Sequence, residues 1–144
     1  MILSKTTEYA LTVLGFMATR NREVYPADYL HKELKIPRQY LRHLLTDLSK
    51  LGFIKSSKGR YGGFVFAQDL KQINFYKIIN AMEGREALNT CLLGFTCCIA
   101  ERPCVMHETW LEARTKMIET LSATTLSDLK EKYFQDLTKH PEMI

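Results

Sequence analysis

The chain has 144 residues, 46% of them hydrophobic and 25% charged, with a formal net charge of +4. That length supports one domain with a real core and an appended pairing arm, and the balance is ordinary for a soluble globular protein. Charges at Lys5 and Glu8 come too early for a signal peptide, and no apolar run approaches the ~18 residues of a membrane span, so a cytoplasmic protein with no membrane partner is expected. Residues 1–70 hold 11 Lys and Arg against 6 Asp and Glu, whereas residues 71–144 hold 9 against 10. A basic front half joined to a near-neutral back half fits a DNA-facing unit followed by a sensing or pairing unit.

The first predicted helix runs over Thr6–Arg20, where Tyr9, Ala10, Val13, Leu14, Met17 and Ala18 repeat at helical spacing. Thr6 or Thr7 is its candidate cap, and its broad apolar stripe predicts packing on two sides. Pro26–Leu34 reads as a short second helix with Tyr29, Leu30 and Leu34 inward. Pro37–Leu51 reads as a third helix that buries Tyr40, Leu41, Leu44, Leu45 and Leu48. It turns out Arg38, Gln39, Arg42, His43, Thr46 and Asp47, and Gly52 is its left-handed C-terminal stop. Two short helices with cations at the start of the second form a helix-turn-helix pattern.

Phe53–Ser57 and Phe64–Ala67 are β-rich and flank Lys58-Gly59-Arg60-Tyr61-Gly62-Gly63, whose glycines suit the positive φ values of a hairpin loop. A basic, glycine-rich hairpin after a recognition helix is a wing. Asn74–Glu83 is a further amphipathic helix stopped by Gly84. From about Val105 to Ala123 a long helix carries Met106, Trp110, Ala113, Met117 and Leu121 in one narrow seam, as a helix pairing with a partner helix does. Thr125 and Asp128 resemble a capping box opening a last helix through Phe134, and residues 138–144 are expected to fray. The fold class expected is mainly α with a small β-hairpin: a winged helix-turn-helix with a long C-terminal dimerisation helix. Its divisions are 1–84 for DNA binding, 85–104 for a cysteine loop and 105–144 for the dimerisation helix and tail.

On the third helix, Arg38 and Arg42 are four residues apart and project from one face. Arginine pairs bidentately with guanine and glutamine with adenine, so Arg38, Gln39 and Arg42 are candidates for base edges, with His43 beside them. Lys58 and Arg60 at the wing tip are placed for phosphate or the minor groove. No conventional catalytic constellation appears, so an enzyme is not expected.

All four cysteines fall in one stretch, Cys91, Cys97, Cys98 and Cys104, with His107 three residues further on. Thiols this close in a reducing compartment point to a metal or cluster site before a disulfide framework. A zinc site lacks the usual Cys-x-x-Cys knuckles, and a cluster-free thiol switch is a further reading.

Thr7-Glu8-Tyr9-Ala10-Leu11, Ile36-Pro37 with Tyr40-Leu41, Leu51-Gly52-Phe53-Ile54, and Ser57-Lys58-Gly59 with Gly62-Gly63-Phe64 together resemble the Rrf2 family of bacterial winged-helix regulators. The resemblance covers roughly residues 1–130. It implies a homodimer whose two recognition helices read a pseudo-palindromic operator in double-stranded DNA. Two departures bear on operator sequence: Lys58 stands where the family usually has Arg, and Arg42 where cluster-assembly members carry an acid.

Members of the iron–sulfur branch (IscR-like and NsrR-like) place three cysteines in this loop, and Cys91, Cys98 and Cys104 match that pattern. Cys97 is the surplus thiol and an alternative ligand. The resemblance offers two fourth ligands, His107 as in IscR-like members and Glu8 as in NsrR-like members. It implies a two-iron or four-iron cluster. The expected function is a transcriptional regulator, acting as a repressor, whose operator binding responds to redox state, nitric oxide or cluster supply. The alternative is a cluster-free regulator of the CymR type, controlled by thiol oxidation or a partner protein.

Overall fold

Ser4 opens the first helix, α1 (Lys5–Thr19), by accepting the Thr7 N–H on its hydroxyl at 3.2 Å. The cap thus lies two or three residues before the Thr6 or Thr7 expected, because the extended backbone of Ser4 frees its side chain to fold over the first turn. Helices α2 (Ala27–Leu34), α3 (Arg38–Lys50), α4 (Phe75–Glu83), α5 (His107–Ala123) and α6 (Leu126–Lys139) follow. Strands β1 (Ile54–Ser57) and β2 (Gly63–Phe66) form one antiparallel hairpin, and Leu70–Gln72 makes a 3₁₀ turn. The structure, a computed structural model, describes residues 3–84, 88–89, 91–93 and 104–139, the last six by backbone alone.

One hydrophobic cluster organises these elements. Val13, Leu14 and Ala10 of α1, Leu30 of α2, Leu41, Leu44, Leu45 and Leu48 of α3, Ile78 of α4 and Leu126 of α6 are all at most 1% exposed. Burying a side chain of this size stabilises the fold by roughly 1.5–3 kcal/mol. As its broad stripe predicts, α1 is the central helix, touching α2, α3, α4 and α6. Ile79 and Leu88 are buried outside this cluster, where the chain leaves α4.

Two backbone links close the structure. Phe75 N–H donates to Thr124 O at 3.1 Å, and Leu126 N–H donates to Ile73 O at 2.9 Å. They pin the α5–α6 junction to the start of α4. The expected Thr125–Asp128 box is present and reciprocal: Asp128 Oδ2 accepts from the Thr125 N–H and hydroxyl, each at 2.8 Å, and Thr125 Oγ1 accepts the Asp128 N–H at 3.2 Å. The helix it opens runs to Lys139, past the expected end at Phe134 and through positions expected to fray.

The long helix starts at His107 rather than Val105, with Cys104 in the turn before it. Cys104 and His107 therefore do not share a helical face. They are joined instead by the His107 N–H donating to Cys104 O at 3.0 Å. None of the residues of α5 is buried within the chain.

Candidate DNA interface and cysteine segment

The turn between α2 and α3 sets the direction of α3. Lys35 adopts a left-handed conformation, φ +54°, and its N–H donates to His31 O at 2.9 Å. Such a backbone costs a non-glycine residue energy, so the surroundings must hold it. Two anchors do so: His31 Nδ1 donates to the Ile36 carbonyl at 2.7 Å, and the Ile36 side chain is 1% exposed in the core. Pro37 occupies the N-cap position of α3, with no side-chain cap bond, rather than forming its first helical residue. Lysine at the left-handed position gives no sequence signal, which is why the turn was legible only by its length and its proline.

Arg38, Gln39, Arg42 and His43 are all exposed along α3. Arg38 Nη1 lies 3.2 Å from Asp28 Oδ1 of α2, with both side chains more than half exposed. An ion pair this exposed contributes roughly 0–1 kcal/mol, so a ligand reaching this face can displace it at little cost. His43 also lines a cleft of about 160 Å³ with Thr6, Tyr40, Leu44 and Asp47, at the edge of α3 nearest the start of α1.

The wing tip presents Lys58, Arg60 and an 84% exposed Tyr61. Its glycines do different work from that expected. Only Gly59 among the three in the loop has a positive φ, +116°. Gly62 and Gly63 are needed for close approach: a Cβ on Gly62 would lie 2.3 Å from Ser57 O, and one on Gly63 would lie 2.6 Å from the Tyr25 carbonyl. Tyr25 and Phe64 exchange backbone bonds of 2.9 and 2.8 Å, which attaches the hairpin to the segment before α2. The Tyr25 hydroxyl donates toward Met17 O and Arg20 O, both at 2.8 Å, and burial of the ring raises its pKa. Wing and helix-turn-helix are therefore one rigid unit.

Arg22 was not singled out by the sequence. It lines an open cleft of about 500 Å³ together with Arg60 and Tyr61 of the wing, and its guanidinium stacks 4.1 Å from the Tyr29 ring centroid. An arginine in a polar loop gives no signal of its own; only the folded wing brings it beside Arg60.

The cysteine segment joins α4 to α5. Leu88 is 4% exposed, and Asn89 O accepts from Arg114 Nη1 of α5 at 3.1 Å, so the approach to Cys91 is held against α5. Cys91 and Cys104 are half-buried, and so is His107. Cys97 and Cys98 lie outside the described residues. Among the described residues no group of three or more His, Cys, Asp or Glu side chains is gathered as a metal site. Glu8 is exposed on the first turn of α1, and its carboxylate pairs with Lys5 Nζ at 2.7 Å, which raises the Lys5 pKa. Half-buried thiols at both ends of the segment, with His107 three residues after Cys104, are donors partly shielded from water and suit iron–sulfur ligation. Among the described residues no helix is long and apolar enough to cross a membrane.

Residues 3–132 match the Rrf2 family, described as an iron-dependent transcriptional regulator. A putative HTH-type transcriptional regulator from Aquifex aeolicus is 33% identical over 131 residues, covering 90% of this chain and 91% of that one. The HTH-type transcriptional regulator NsrR of Bacillus licheniformis is 28% identical over 131 residues, covering 90% and 92%. Among solved structures, CymR, the global cysteine regulator of B. subtilis, superposes with a TM-score of 0.75 at 26% identity, covering 92% of this chain and 98% of that one. With six helices and one antiparallel hairpin among the described residues and a family match over nearly its whole length, the chain belongs to the Rrf2 family of winged-helix transcriptional regulators and is not an enzyme.

Proposed function

We propose that this Rrf2 regulator binds a pseudo-palindromic operator as a homodimer and that an iron–sulfur cluster, held by Cys91, Cys98, Cys104 and His107, switches that binding. Arg38, Gln39, Arg42 and His43 enter the major groove on α3, while Lys58 and Arg60 hold the backbone or the minor groove from the wing. All six are exposed on elements that the core fixes rigidly, which supports this assignment. The protein works in the cytoplasm, as a repressor.

The homodimer is supported by α5. A helix of 17 residues with none buried in its own chain, with Leu111 43% exposed and Met106 at its N-cap 38% exposed, needs a cover. A second copy of α5, paired along Met106, Trp110, Ala113, Met117 and Leu121, supplies it.

The observation that carries the cluster is the gathering of all four thiols of the chain in the connection between α4 and α5, half-buried at the two ends that are described. Cys91 would hold the cluster from the α4 side of that connection, and Cys104 with His107 would hold it from the start of α5. His107 is preferred to Glu8 because it already shares a hydrogen-bonded turn with Cys104. A coupling of ~1–3 kcal/mol between this connection and the recognition helices changes operator affinity about 5–150-fold. Oxidation, nitric oxide or cluster supply is the signal. Anaerobic reconstitution with iron and sulfide, followed by absorption spectroscopy and iron and sulfide counts, tests the reading: a colourless, iron-free protein refutes it.

The likeness to CymR favours a second reading, a cluster-free regulator governed by thiol oxidation or a partner protein. Iron content separates the two.

A further inference from the structure

The start of α1 grips two other helices through residues that the DNA-binding reading does not use. Glu83, the last residue of α4, accepts the Ser4 backbone N–H at 2.7 Å and the Thr7 hydroxyl on the same Oε1. The Ser4 and Thr7 hydroxyl oxygens lie 3.0 Å apart beside it. One residue along, the Thr6 hydroxyl is bonded to the phenol oxygen of Tyr40 in α3. Tyr9, a turn further, sets its ring edge-on to Tyr40 with centroids 5.3 Å apart.

Thr6 and Thr7 stand in the first turn of α1, where the carbonyl four residues back lies before the helix, so their hydroxyls reach across to other helices, and Thr7 does so while 0% exposed. The result is a continuous path. Glu83 stands directly before the cysteine segment, and Tyr40 stands between Gln39 and Leu41 on the recognition helix.

We propose that Glu83, Thr6 and Tyr40 are positioning residues, through which the state of the cysteine segment sets the pose of α3 on DNA. A pull on the C-terminal end of α4 is passed by Glu83 to the first turn of α1. That turn passes it to Tyr40, whose neighbours on α3 include Gln39 and Arg42. The sensing half rests on the proposed reading of the cysteine segment; the positioning of α3 does not.

The test uses full-length protein and two probes: a duplex selected by the wild type from a random pool, and an unselected random duplex. Each is titrated against iron- and sulfide-reconstituted protein and against iron-free protein. Tyr40→Phe removes one hydroxyl and keeps the ring; it lowers affinity for the selected duplex about 3- to 10-fold and leaves the random duplex and its salt slope unchanged. Thr6→Val does the same and Thr6→Ser restores binding. Glu83→Met brings the reconstituted-to-iron-free affinity ratio toward one, and Glu83→Gln, which keeps an acceptor oxygen, preserves it. Combining Tyr40→Phe with Glu83→Met leaves that ratio no nearer one than Glu83→Met alone. Independent, additive effects on the ratio overturn the path. Equal losses on both duplexes, or none, overturn the positioning of α3 even where the wild type distinguishes its two forms. Equal wild-type affinity in the two forms refutes the sensor reading, and the selected-to-random ratio then still decides the role of Tyr40.

Discussion

Gly63 runs against the backbone of Tyr25 so closely that a Cβ on it would lie 2.6 Å from the Tyr25 carbonyl carbon and oxygen. This contact joins the wing to the helix-turn-helix, with the Tyr25–Phe64 bridge beside it. Gly63→Ala must push the hairpin off the Tyr25 segment and is expected to destabilise the protein by about 1–3 kcal/mol. Gly59→Ala strains only a loop backbone and should cost less. Urea denaturation of both variants checks the order; equal stabilities contradict it.

The exposed face of α3 should carry sequence information and the wing tip mostly charge. Arg38→Ala and Arg42→Ala are each expected to cost about 1–3 kcal/mol on a selected operator and to relax the sequence preference. Lys58→Ala with Arg60→Ala should weaken selected and random duplexes alike and reduce the salt slope by about two. Binding titrations over a range of salt distinguish the two patterns.

Ala113 lies in the seam of α5 and is exposed in the single chain. Ala113→Glu should therefore leave the secondary structure intact and convert dimer to monomer in sedimentation, with a loss of operator affinity. A dimer that survives the substitution places the pairing surface elsewhere.

Glu83 has its pKa held below the ordinary 4.5 by the Ser4 side chain, the Thr7 side chain and the Ser4 N–H. A lowered folded-state pKa gives stability that is complete above the ordinary value and is lost as pH falls through the depressed one. The stability advantage of the wild type over Glu83→Gln is thus expected to hold near neutrality and shrink below pH 4.5. A difference that is constant with pH contradicts the assignment.

Much of this architecture is legible in the residue pattern. The helices announce themselves by the spacing of Leu41, Leu44, Leu45 and Leu48 and of Ile78 and Ile79, and the last helix by the Thr125–Asp128 box. The exposed cations of α3 and the wing are where periodicity and turn chemistry put them. What the pattern hides is long-range. Nothing local marks Lys35 as left-handed, because its strain is carried by His31 and Ile36. The Gly62-Gly63 pair looks like turn chemistry and is instead required by packing against Ser57 and Tyr25. Thr6 and Thr7 look like interchangeable caps, yet Ser4 holds that position and frees them to reach α3 and α4. Within the candidate cluster site, the placement of Cys91 and Cys104 at the ends of one connection follows from the helices around them, while Cys97 and Cys98 lie outside the described residues.

The central claim, that the segment of Cys91, Cys98 and Cys104 holds an iron–sulfur cluster that switches DNA binding, is tested most directly by one titration. The selected duplex is titrated with anaerobically reconstituted protein and with the same protein after iron removal, alongside iron and sulfide counts. A coloured protein containing iron and sulfide, whose affinity differs from the iron-free form by about 5-fold or more, is the expected result. A protein that takes up no iron, or one whose two forms bind the duplex equally, contradicts it.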